Sequence, residues 1–268
     1  MSEPHVPKSA SAAHTSSGLP AWGLFAAAQF LTRVPISLRA APDLTRSVPW
    51  FPVVGALIGA AVGLASAGLM ELVPPLVAAA VAIMFGILIT GAFHEDGLAD
   101  TADAMGGWTQ DRRREILKDS RHGSYGVAAM TGTIVIRIAC VASLGPAAAF
   151  ASLVAAHTLG RGAAVAVMGL APPVPEAGLG ADYSRSLTPL PAMLGVLAAL
   201  GISAAATGWW AAPFAVAATV SAIAVSVVAR RAFGGVSGDI LGAVEQVAEC
   251  AVLVVATGLA LRHPLWWS

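Results

Sequence analysis

Seven stretches of this chain run for close to twenty residues almost without charge: about 51–73, 75–93, 124–145, 147–170, 189–207, 209–229 and 240–261. A helix needs roughly 20 mostly apolar residues to cross a bilayer. Lipid offers no hydrogen bonds to the backbone, so only helices and closed barrels span it. A barrel would show alternating apolar and polar residues, and no such alternation is present. The predicted fold class is therefore all-α: a polytopic integral membrane helical bundle of about seven spans. Composition agrees, at 57% hydrophobic and 11% charged, against about 25% charged in soluble domains. The stretch 21–37 is shorter and carries Gln29, Arg33 and Pro35. It reads as a short N-terminal interfacial or re-entrant helix, or a short span.

Residues 1–20 are rich in Ser, Ala, Pro and His and read as a disordered tail, leaving 21–268 as one transmembrane catalytic domain. The apolar run 21–32 is not read as a signal peptide, because it contains Gln29 and leads into Arg33 and Pro35 without a clear cleavage site. Cys140 and Cys250 lie in apolar runs and read as small buried hydrophobes. Net charge is zero, so no basic excess points to nucleic acid. The turns at Val73–Pro75, Gly145–Pro146 and Gly208–Trp209 lack Lys and Arg, whereas 38–50, 94–123, 171–188 and 230–239 hold ten of them, including Arg39, Arg46, Lys118, Arg185, Arg230 and Arg231. The positive-inside rule puts that set in the cytoplasm, which makes the chain multi-pass with the 94–123 loop facing the cytoplasm. Trp266 and Trp267 suit an interfacial anchor.

Four of the chain's 15 acidic residues fall between 95 and 103. Asp96, Asp100 and Asp103 are spaced i, i+4, i+7, which places them within about 60° of arc on one helical face. Like charges at that spacing repel, and a hard divalent cation such as Mg²⁺ offsets them best, since it is held by carboxylates and substrate phosphates. Gly97 leaves room for a phosphate or a second chain to approach the backbone. The bland alternative is a solvated acidic face paired with the Arg112–Arg114 run. His94 beside the cluster is a candidate ligand, base or polar cap. Further on, Lys118, Asp119, Ser120 and Arg121 precede a Gly-rich start to the next span, where cations suit phosphates. Local ion pairs in a loop are the alternative. Arg137, His157, Arg161, Glu245 and Glu249 fall inside apolar segments, where ionisable groups are normally paired or functional. For Glu245 and Glu249 two readings are open: pairing with Arg137 or Arg161, or helping to line the site.

Four motifs then carry a resemblance. They are Phe30-Leu31-Thr32-Arg33-Val34-Pro35, the run from Gly91-Ala92-Phe93-His94 through Asp96-Gly97, Asp100 and Asp103, Lys118-Asp119-Ser120-Arg121 with Gly123 and Gly126, and Gly234-Gly235-Val236-Ser237-Gly238-Asp239. In that order they resemble the cobalamin synthase family, the adenosylcobinamide-GDP ribazoletransferases of late vitamin B12 biosynthesis, over about 22–261. The resemblance implies a Mg²⁺-dependent transferase that joins α-ribazole, or its 5′-phosphate, to adenosylcobinamide-GDP. GMP leaves, and adenosylcobalamin or its phosphate forms. It implies a metal role for Asp96, Asp100 and Asp103. It implies substrate or phosphate contacts for Arg33, Lys118, Asp119, Ser120, Arg121, Asp239 and Glu245. The base for the attacking hydroxyl stays open between His94 and the Asp cluster. Homo-oligomers and membrane lipid are compatible partners. Two residues depart from the family pattern: Glu95 stands where an apolar residue is expected, and His122 where an aliphatic one is.

The nearest rival is a CDP-alcohol phosphotransferase, which also sets spaced aspartates after Asp-Gly, but Asp100 and Thr101 stand where its Ala-Arg would be. An ion-coupled transporter would use the intramembrane Arg and Glu as a relay. This chain concentrates its charge in the connections instead.

Overall fold

The structure, a computed structural model, describes residues 21–37, 44–119, 121–174 and 187–266. The predicted tail 1–20 and the residues Arg39, Ser120, Arg185 and Trp267 lie outside them. The described chain is helical, with one isolated bridge between Pro173 and Val236. In order the helices are α1 (Ala21–Leu31), α2 (Leu44–Ser47), α3 (Phe51–Met70), α4 (Pro75–Thr90), α5 (Phe93–Ala104), α6 (Gln110–Leu117), α7 (Ser124–Ala142), α8 (Pro146–Leu170), α9 (Pro189–Thr207), α10 (Ala211–Phe233) and α11 (Gly238–Ala260).

Five stretches are long and apolar enough to cross a membrane, and a sixth is if α4 and α5 count as one bent pair. One of the five is the 45-residue run Pro189–Phe233. Unbroken it would reach about 67 Å, twice the hydrocarbon core. Gly208, at φ +60°, divides it into α9 and α10, and residues far apart in it, Ala199 and Ala222, line one cavity against α8. The run is therefore a hairpin, and the helices fall where the seven apolar stretches predict. With 11 residues, α1 is too short to span.

The bundle is organised around α8, which packs on α3, α9, α11 and α10. The reason is visible in α3. Gly55, Gly59 and Gly63 recur every fourth residue, and a Cβ at Gly59 would sit 2.5 Å from the Leu153 carbonyl oxygen. Small residues at this spacing let two backbones close up where lipid supplies no hydrophobic drive.

The two ends of the bundle differ. At one end Trp209 stacks edge-on to His263, and the Trp266 ring lies over Gly208. The polar connections gather at the other. There the Arg33 side chain crosses Gly91, Arg114 Nε donates to the Phe233 carbonyl at 2.9 Å, and Gln110 donates to the Arg231 carbonyl at 3.1 Å. The expected loop 94–123 is largely helical. After α4 the chain turns through 88° at Gly91 and Ala92, both at positive φ, and α5 runs across this end. Thr109 then caps α6 by accepting from the Arg112 N–H.

Candidate active site

Helix α5 displays the acidic cluster, and its neighbours hold it in place. Gly97 lies against the start of α11, where a Cβ would come 2.8 Å from the Asp239 carbonyl oxygen. The close approach anticipated at Gly97 is thus made by a second helix. It brings Asp239, in the first turn of α11 behind its Ser237 cap, to the same polar end. Asp96 and Asp100 share one face of α5, and His122 reaches over from the segment before α7. Its Nε2 lies 3.2 Å from Asp96 Oδ1 and its Nδ1 3.4 Å from Asp100 Oδ1. One donor atom from each of the three lies within 4.8 Å of the others. The Asp96 side chain is 61% exposed and that of Asp100 14%. Burial, reinforced by the negative charges of Asp96 and Asp239, pushes the Asp100 carboxyl up to about 6.

That surplus of negative charge on two oxygen donors and one nitrogen fits a divalent cation. The residue pattern alone did not single out His122 as a participant. Its signals in the sequence are its place in the basic segment next to Arg121 and its standing where an aliphatic residue is expected.

Asp103 is on the helix with the other two but is engaged differently. Its carboxylate accepts from the backbone N–H of Gly123 at 2.6 Å and of Gly126 at 2.8 Å. These are unpaired donors at the N-terminus of α7, where a negative charge is favoured. The Gly-x-x-Gly spacing is the price of that contact: a Cβ on Gly126 would come 2.2 Å from Asp103 Oδ2.

The cations are distributed around this face. Arg33 is exposed on the segment after α1, its N–H donating to the Ile89 carbonyl at 2.7 Å. Lys118 is exposed at the end of α6. Asp119 and Arg121 pair with each other at 2.7 and 3.0 Å. The Arg121 hydrogen bonds draw the Asp119 carboxyl down to about 2, so these two make the local ion pair weighed as the alternative.

Two expected site residues point elsewhere. His94 is two residues from Asp96, so its side chain leaves α5 on nearly the opposite face. It is 6% exposed, with Nδ1 3.8 Å from Glu245 Oε2. Glu245 is fully buried and paired with Arg161. It stands six residues, about 9 Å, below Asp239 along α11. Both belong to a buried polar layer. Arg161 also meets Glu249 at 2.6 Å, Arg137 binds Glu249 at 3.2 Å and Glu95 at 2.8 Å, and His157 meets Glu249. The pairing of the intramembrane Glu and Arg residues is therefore present. The unexpected Glu95 is its third carboxylate, which gives a buried partner to an acid that stands where an apolar residue is expected.

Fold and site together define a polytopic helical membrane protein whose chemically equipped surface is an acidic face at one end of the bundle. Residues 23–257 match the model of the cobalamin-5-phosphate synthase family, and the chain belongs to that family. It is 37% identical over 253 residues to an adenosylcobinamide-GDP ribazoletransferase of Azorhizobium caulinodans, covering 89% of this chain and 96% of that one. A protein of the same name from Bradyrhizobium diazoefficiens is 37% identical, with 88% and 93% covered. Another from Stutzerimonas stutzeri is 38% identical, with 89% and 98% covered. No solved structure matches the chain.

Proposed function

We propose that this protein is an adenosylcobinamide-GDP ribazoletransferase. It joins α-ribazole, or its 5′-phosphate, to adenosylcobinamide-GDP and releases GMP. The observation that carries this reading is the family match over nearly the whole chain, whose relatives bear that name. In support, its four motifs meet at one end of the bundle. The polar end faces the cytoplasm, where nucleotide substrates are, in the bacterial inner membrane.

In the reaction a hydroxyl displaces GMP from a diphosphate, so negative charge grows on the phosphoryl oxygens and the leaving phosphate. Asp96 and Asp100 would hold Mg²⁺, with His122 beside them as a third donor, and when bound it supplies neutralisation of that charge. Asp103, fixed on the α7 amides, sets the distance between α5 and the Lys118–Arg121 segment. Arg33 and Lys118 are exposed cations suited to the phosphates of the GDP moiety. Asp119 orients Arg121 toward the same role. The attacking hydroxyl gives up its proton at the Asp96–Asp100–His122 cluster. His94 faces the buried layer and is not the base.

The test is assembly of cobalamin from adenosylcobinamide-GDP and α-ribazole by purified protein in lipid, with GMP release followed. Product formation that EDTA stops and Mg²⁺ restores is the expected result. Well-folded protein that makes no cobalamin, or that instead releases CMP from a CDP-alcohol, overturns the reading.

A further inference from the structure

A cavity of about 420 Å³ opens between α8, α9 and α10, and none of the site residues described above lines it. Its wall mixes branched aliphatic residues with many small ones, among them Gly162, Ala163, Ala199, Ala218 and Ala222. Residues of this kind normally let membrane helices close on each other. Here α8 and α9 do so: a Cβ on Gly162 would meet the Ala199 Cβ at 2.6 Å. Helix α10 packs on α8 less extensively than α9 does, and α9 and α10 pack least on one another. From Ala215 to Arg230 the groove follows α10 for fifteen residues, about 22 Å, enough to cover one leaflet's hydrocarbon of about 15 Å. Its polar end is closed by the exposed side chain of Arg230, which no carboxylate among the described residues pairs with. Ser226 lies one turn deeper.

We propose that this groove binds one acyl chain of an anionic phospholipid, with the phosphate on Arg230 and the ester region level with Ser226. Among the described residues, no aromatic ring or carboxylate lines it. A nucleobase would call for stacking and edge hydrogen bonds, and neither is offered. Arg230 favours a headgroup whose phosphate has no ammonium beside it. One arginine at a membrane surface gives roughly fivefold preference for the anionic lipid.

Native mass spectrometry of the full chain, purified in mild detergent and titrated with phosphatidylglycerol or phosphatidylcholine, tests the site. The wild type should retain one phospholipid and prefer phosphatidylglycerol about fivefold. R230A should bind both lipids alike, at the phosphatidylcholine level. A222L, which fills the groove, should lose the retained lipid while eluting as folded protein. R230A changes an exposed side chain, so it decides the question even if A222L misfolds. Equal binding of the two lipids by wild type, or unchanged selectivity in R230A, overturns the proposal. Thermal protection by inorganic phosphate equal to that by the lipid, or displacement of the lipid by α-ribazole, overturns it too, because the groove would then be an anion or substrate site.

Discussion

Burial of Asp100, reinforced by the negative charges of Asp96 and Asp239, raises its carboxyl from 3.8 to about 6. The raised value is a penalty borne when the group is ionised. Between pH 4 and 6 the folded state therefore binds more protons than the unfolded one, and the stability of the metal-free protein falls as pH rises through that window. D100N should melt a few degrees above wild type in EDTA at pH 7.5, with the gap closing by pH 4. In Mg²⁺ the order should reverse, since wild type alone gains the ion's stabilisation, and transferase activity should drop at least a hundredfold. Melting scans across pH with and without Mg²⁺ check both signs. If D100N gains from Mg²⁺ as wild type does, Asp100 is not a ligand. Spacing made these carboxylates legible, since a helical period needs only local sequence. His122 was not, because its place between Asp96 and Asp100 depends on how α7 docks against α5.

The same limit applies to helix α5 as an element. The i, i+4, i+7 pattern correctly put the aspartates on one helix. Which face His94 and Glu95 present depends on partners 42 or more residues away, such as Arg137 and Glu245. The buried layer anchors the inner face of α5, and Asp103 anchors its far end to α7. R137M leaves Glu95 and Glu249 buried without their shared cation and should destabilise the protein by about 3–5 kcal/mol, seen as a large drop in thermal midpoint in detergent. D103A removes two charge-assisted hydrogen bonds at a helix start and should cost about 1–2 kcal/mol. Its more specific mark is faster hydrogen exchange at the Gly123 and Gly126 amides, with the core of α8 unaffected. Protection of those two amides unchanged in D103A would mean that Asp103 does not hold the segment.

At the scale of the molecule, the positions of the membrane helices were legible because hydrocarbon imposes one requirement on each: enough consecutive apolar residues. The packing order was less so. The Gly55, Gly59, Gly63 stripe marks a close contact, but nothing local says that α8 receives it. The segregation of charge does carry over directly. Arg33, α5, α6 and the 230–239 turn meet at one end, with Trp209 and His263 at the other. If the seven apolar helices alternate in direction, Trp108 and Leu72 lie on opposite sides of the bilayer, and both are open to reagent at 96% and 79% exposure. The native Cys140 and Cys250 are buried and leave a quiet background. An impermeant maleimide applied to intact cells should therefore label L72C and spare W108C, and permeabilised cells should label both. Labelling of W108C from outside would invert the protein in the membrane and place the acidic face where nucleotide substrates are scarce. Labelling of both from outside would break the alternation, and α4 with α5 would then be a re-entrant loop.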